Sequence, residues 1–296
     1  MKRLFLTLSL IAATSMLAFA GGQAETNRVR VAAQNFNEPI VLGHIAHILL
    51  AETTDLNATV NTEFASSNVL HQAMLQDEID LYPTWTGTQL TGVLRYEGPN
   101  MSERETFEVV KTGFEEEFGF TWSEPLGFNN TYIWALPREV AEEYGLEKAS
   151  DLESIAHEWR AAGDDNFDIR LDAYPGWSEH YGIEFRELVT MQYALMYTAI
   201  AQGEVDIIAA FSTDSRIPSM DLVTLEDDKE WFPAYSGAFV VRQAIVEQHP
   251  EIMEALNSLA GMLDDETMAE LNGRYDDGEE PEDVARDWLV SVGLID

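Results

Sequence analysis

Trp85 and Phe211 hold matching places in a stretch that the chain uses twice. Ala73–Thr86 can be laid on Ala199–Ser212 without a gap, with Ala73/Ala199, Gln76/Gln202, Glu78/Glu204 and Asp80/Asp206 identical, and with Ile79/Val205, Leu81/Ile207, Trp85/Phe211 and Thr86/Ser212 similar. The unit reads as a helix end, a tight turn, a buried strand and a loop that carries an aromatic ring. A loop leaving the carboxyl end of a parallel strand is where open α/β sheets place their ligands. Two such units on facing lobes would set Trp85 and Phe211 on opposite walls of one cleft, which is an arrangement for holding a small molecule. Other reactive residues are sparse. His44 and His47 lie three apart on an expected helix, with His71 beyond. Zinc takes three or four ligands, so no metal site is expected and no cofactor. Ser212 and Asp214 with a remote histidine would suggest a hydrolase, but neither a Gly-x-Ser-x-Gly elbow nor a glycine-rich phosphate loop accompanies them. No enzyme is expected.

The elements that must carry these residues can be read from periodicity. Val29–Ala33 reads as a strand, and Pro39 opens an apolar-periodic helix from Ile40 to Leu50. A helix over Ser67–Gln76 precedes a short strand at Ile79–Tyr82 that Pro83 should end. Further helices are expected at Glu103–Phe118, Pro137–Tyr144, Tyr193–Gln202, Arg242–Leu263 and Pro281–Val292. Strands alternating with helices indicate an α/β chain with parallel sheets. At 296 residues, roughly two domains are expected.

Composition bounds the partners. The chain carries 53 acidic and 17 basic residues, a formal net charge of −36, and no cysteine. Such a surface repels phosphate backbones and anionic lipid, so nucleic acid is excluded and membrane contact is expected only through a partner. Met1–Arg3 is basic, Leu4–Leu17 is apolar, and Ala18-Phe19-Ala20 fits a small-x-small cleavage pattern. Residues 1–20 therefore read as a signal peptide cut before Gly21, leaving an exported, periplasmic chain that lacks the cysteine a lipid anchor would need. Lysine is scarce at four residues. An acid-rich, lysine-poor surface suits high external salt, and it equally suits an ordinary soluble protein.

Several runs, in order along nearly the whole mature chain, resemble one family. They are Gln34-Asn35-Phe36, Asp80–Thr88, Leu126–Tyr132, Gly203–Asp206, Phe211–Ile217 and Leu225–Tyr235. The family is that of the periplasmic substrate-binding components of ABC transporters for quaternary-ammonium osmoprotectants: glycine betaine, choline, carnitine and relatives. The resemblance implies a two-lobed α/β periplasmic binding protein, type II-like, with a hinge of two crossing strands and ligand in the interlobe cleft. Lobe 1 is expected over residues 21–129 plus 235–296, and lobe 2 over 130–234. It implies a permease and its ATPase subunit as partners, and a monomer. It also implies a cage of four aromatics, which by motif fall on Trp85, Tyr132, Phe211 and Tyr235, with polar contacts on Gln34, Thr88, Asn130 and Arg170. Trp85 and Phe211 stand where relatives carry tyrosine, and Gln34 where many carry lysine. Trp134 and Trp231 read as packing.

The implied cage suits the implied ligand. A trimethylammonium group is a cation with no N–H donor, so ring faces and dispersion must hold it. Each ring contributes about 0.5–2 kcal/mol, so four supply roughly 2–8, against about 8 for a micromolar complex. Arg170 could pair with a ligand carboxylate, which makes glycine betaine the first choice. It could equally be a surface ion pair in the acidic stretch around it. Choline would instead want a hydroxyl partner such as Gln34 or Asn130. A binder of another cationic solute, a polyamine or a cationic amino acid, would need Asp214 or Asp172 turned into the cleft.

Overall fold

The computed structural model describes residues 27–98, 101–170 and 173–296. The expected signal peptide and Asp172 lie outside them. The chain forms two five-stranded sheets. The first takes β1 (Arg28–Gln34), β2 (Asn57–Phe64), β3 (Leu81–Trp85), β4 (Phe120–Trp122) and, from near the end of the chain, β10 (Gly237–Arg242). The second takes β5 (Tyr132–Pro137), β6 (Arg160–Gly163), β7 (Glu187–Thr190), β8 (Ile207–Phe211) and β9 (Leu222–Leu225). Their orders are β2-β1-β3-β10-β4 and β7-β6-β8-β5-β9. The chain passes between the sheets at residues 129–131 and 235–236, and these two segments meet in an antiparallel bridge, Asn129 to Ser236.

The sheets are mixed, not parallel throughout. Within each, three neighbouring strands run parallel, β1 with β2 and β3, and β6 with β7 and β8. The strand that enters from the crossing runs antiparallel: β10 beside β3 and β4, and β5 beside β8 and β9. A strand arriving from the other lobe enters its sheet from the cleft end, so its direction opposes that of the strands leaving toward the cleft.

Helix α1 (Asn37–Thr53) starts three residues before the expected boundary. The helix over Glu103–Phe118 has the expected limits, set by a Ser102/Glu105 capping box and by Gly119 in the left-handed conformation. Pro83 does not end its strand. The β1 ladder reaches β3 only at Leu81, so on that side no bond is asked of the missing N–H, and β10 carries the strand on to Trp85. The single helix expected over Arg242–Leu263 is broken into Gln243–Gln248 and Glu251–Asn257, because Pro250 cannot continue the first.

The repeat recurs in its backbone hydrogen bonds. Glu78 N donates to Ala73 O and Glu204 N to Ala199 O, both at 2.9 Å. The turns between use left-handed Asp77 and Gly203. Asp80 accepts from Arg30 N at 2.8 Å, and Asp206 from Arg160 N at 2.7 Å, so one carboxylate fixes the start of each inner strand to its parallel neighbour.

Candidate functional site

Because β3 and β8 are the repeated strands, each delivers its last residue to the same end of its sheet. Those residues are Trp85 and Phe211. Register places Gly237 opposite Trp85, and Tyr132 opposite Phe211. Tyr132 and Phe211 are therefore cross-strand neighbours, with ring centroids 5.0 Å apart, and Tyr235 meets Tyr132 edge-on at 6.0 Å. Trp85 stacks on Phe36 at 5.9 Å. All of these rings line one cavity of about 970 Å³ to which both sheets contribute. Trp85, Tyr132 and Tyr235 are nearly buried, and Phe211 is half-buried.

The four polar candidates line the same cavity. A register shift between Ala32 and Gln34 interrupts the end of β1, where Gln34 sits. Thr88 lies on the short helix Thr86–Gly92 that begins directly after Trp85. There is no room for a side chain at Gly87, where a Cβ would stand 2.8 Å from the Tyr235 ring and from Ala234 O. Arg170 reaches across from the second lobe, and its Nη2 donates to Thr91 Oγ1 at 3.0 Å. It belongs to the cleft. Asn130 lies in the first crossing segment and donates through Nδ2 to Glu38 Oε1 at 2.7 Å.

Three lining residues escaped the sequence reading. Phe36 was seen only as part of a motif. Tyr193 stands behind Phe211 at 4.8 Å, and its hydroxyl donates to Asp214. Trp231, expected to be packing, lines the cavity, whereas Trp134 is packed against Phe167, Trp177 and Phe185 in the second lobe.

Glu38, in the first turn of α1, was missed as well. Its carboxylate is 1 % exposed. Oε1 accepts from Trp85 Nε1 at 3.0 Å and from Asn130, while Oε2 accepts from Thr213 Oγ1 at 2.6 Å and Asn272 Nδ2 at 3.0 Å. Burial pushes its pKa up and the four donors pull it back, with burial the larger. The available signal was physical: a tryptophan at a strand end, with its ring toward a cleft, needs an acceptor for its N–H.

The residues that suggested other chemistry are otherwise engaged. Ser212 Oγ accepts from Thr131 N and donates to Asn129 O. Asp214 is held by Arg216 through Nε and Nη2. His71 packs among Phe114, Phe118 and Phe120, while His44 and His47 pair edge-on on α1.

Comparison with known proteins places this geometry. Residues 27–291 match the model of the substrate-binding domain of the ABC-type glycine betaine transport system. The carnitine transport binding protein of Listeria monocytogenes is 35 % identical over 289 residues, covering 97 % of this chain and 93 % of that one. The glycine-betaine-binding protein of Pseudomonas aeruginosa is 32 % identical, covering 94 % and 92 %. Among solved structures, a glycine betaine/carnitine/choline ABC transporter protein superposes with a TM-score of 0.78 at 30 % identity, covering 90 % of this chain and 100 % of that one. The chain thus belongs to the family of substrate-binding domains of ABC-type glycine betaine transport systems, whose members bind small solutes for a permease and its ATPase and are not enzymes.

Proposed function

We propose that this chain captures a quaternary-ammonium osmolyte in the cavity between its lobes, glycine betaine first and then choline or carnitine, and delivers it to an ABC permease from the periplasm. The carrying observation is the convergence of Trp85, Tyr132, Phe211 and Tyr235, from both sheets, on one cavity. Ring faces are what a methylated cation without N–H donors can use. Arg170 at the same cavity offers a planar fork to a ligand carboxylate, which favours a zwitterion. A polyamine or cationic amino acid would want a carboxylate turned to the ligand; Asp214 is bound by Arg216 and Tyr193 and is not among the lining residues, which leaves Glu97 and Asp164 as the carboxylates at the cavity. Ligand held by both lobes makes contacts that a separated pair cannot, and so favours the closed arrangement.

Titration calorimetry with glycine betaine, choline, carnitine and spermidine tests the proposal. Micromolar or tighter binding of a methylated ammonium is expected, with spermidine inert. Trp85→Ala should weaken binding by about 1–2 kcal/mol or more, that is by tenfold upward. Full-strength betaine binding by that variant would remove the cage from the explanation.

A further inference from the structure

A buried carboxylate normally keeps a basic partner, because a charge stripped of water is costly. Among the described residues Glu38 has none: its four partners, Trp85, Asn130, Thr213 and Asn272, are all neutral. Trp85 Nε1 and Asn130 Nδ2 can only donate, so a proton on Oε1 would face donors where it needs an acceptor; at Oε2 Asn272 Nδ2 likewise only donates, and the Thr213 hydroxyl alone could turn to accept. The position favours negative charge as well, since Glu38 lies in the first turn of a 17-residue helix. Against burial, which favours the protonated form, the donors and the helix terminus support the anion without neutralising it.

The charge also has a direction. Trp85 hands its indole N–H to Glu38, and the same ring lines the cavity. We propose that Glu38 is the countercharge for the ligand's quaternary nitrogen, acting through Trp85, and that it makes the site select a cation over an uncharged body of the same shape. This rests on the reading of the cavity as a quaternary-ammonium site. Two effects act together. A carboxylate on the indole N–H pushes electron density into the ring and deepens its negative face. The charge itself is felt across a water-poor interior, where attraction is stronger than in solvent. The carboxylates that line the cavity directly are less suited: Glu97 is exposed, and Asp164 caps a helix by accepting from Phe167 N at 2.7 Å.

A purely structural role for Glu38 predicts something different. The carboxylate ties Trp85 to Asn130, two residues before Tyr132, and to Thr213, two residues after Phe211. If it only positioned these rings, its loss would weaken all ligands alike. The discriminating probes are glycine betaine and the anion of tert-butylacetic acid, in which a quaternary carbon replaces the nitrogen. Each is titrated into wild-type protein and Glu38→Gln, which keeps the shape and removes the charge. The betaine-over-isostere preference should fall roughly tenfold or more in the variant. An unchanged preference, whether both affinities drop together or neither does, overturns the proposal. Glu38→Asp guards against a folding defect: it disturbs the contacts and keeps the charge, so the preference should stay near the wild-type value even where both affinities drop, and a fall there also overturns the proposal. Wild-type protein that binds neither betaine nor choline would instead fail the underlying reading, and the inference with it.

Discussion

On the proposed reading, Arg170 is the side chain that should separate ligand classes. Its guanidinium serves two ends, since it crosses the cleft to Thr91 and it lines the cavity. Arg170→Gln should therefore cost every ligand something, because the cross-lobe bond is lost, and cost a carboxylate-bearing ligand more. Charge-assisted pairing is worth about 1.5–3 kcal/mol where a neutral hydrogen bond gives about 1. Calorimetry should show choline weakened only severalfold, and glycine betaine and carnitine by a further tenfold or so. Equal losses for all three would reassign Arg170 to closure alone. Trp85 and Phe211 stood out in the sequence because they sit in a repeat, where one copy vouches for the other, whereas Tyr132 and Tyr235 were expected only from the resemblance. Glu38 was not legible, because its significance lies in Asn130, Thr213 and Asn272, which are far away along the chain and near only in the fold.

The repeated element shows what such a unit is for. Thr86 follows Trp85, and Ser212 follows Phe211. Each hydroxyl accepts a backbone N–H from a crossing segment and donates to a carbonyl two residues earlier: Thr86 to Ser236 and Ala234, Ser212 to Thr131 and Asn129. Trp85 and Phe211 are thus fastened to the crossing segments through their next neighbours. At the other end of each strand the copies diverge. Asp80 is buried and held by the side chains of Arg30 and Arg242 as well as by backbone, whereas Asp206 is half-buried and takes its bond from Arg160 N. Burial alone would raise the Asp80 pKa, but the Arg30 hydrogen bonds and the charges of both arginines outweigh it and hold the carboxyl below its ordinary value. Its stabilising contribution is accordingly present above the ordinary carboxylate range and lost as pH falls through the depressed value. Asp80→Asn should destabilise the protein by about 3 kcal/mol at neutral pH, and Asp206→Asn by about 1. In urea titrations repeated at decreasing pH, the Asp80→Asn deficit should shrink. A deficit that stays constant into strong acid would show that the ion pairs are not its source. The antiparallel entry of β5 and β10 was illegible for a related reason. Local periodicity reports that a segment is a strand, while its direction is set by which lobe the chain has just left.

For the molecule as a whole, the excess of acid decides how it responds to salt. Fifty-three acidic side chains face seventeen basic ones, so most carboxylates have no cation to meet. Exposed pairs do exist, among them Arg104–Glu108, Arg138–Asp221 and Arg286–Glu52. Each is worth about 0–1 kcal/mol, and salt weakens it. Salt also screens the mutual repulsion of every unpaired carboxylate, and the Debye length shrinks from about 30 Å at about 0.01 M to about 3 Å at about 1 M. At the lower salt a charge feels neighbours across a whole lobe, and at the higher one only those it touches. The unpaired majority therefore outweighs the few pairs, and screening should stabilise the folded state. The Arg30–Asp80–Arg242 cluster changes little, because the buried Asp80 at its centre is screened far less than a surface charge. The urea midpoint should rise steadily between those two salt concentrations, in chloride salts of either sodium or potassium, since screening depends on ionic strength rather than on a bound ion. Urea is the right denaturant, because guanidinium would itself supply the salt. A midpoint that stays flat or falls would mean that the surface pairs outweigh the repulsion, and that the acidity of this chain is no adaptation to a saline medium.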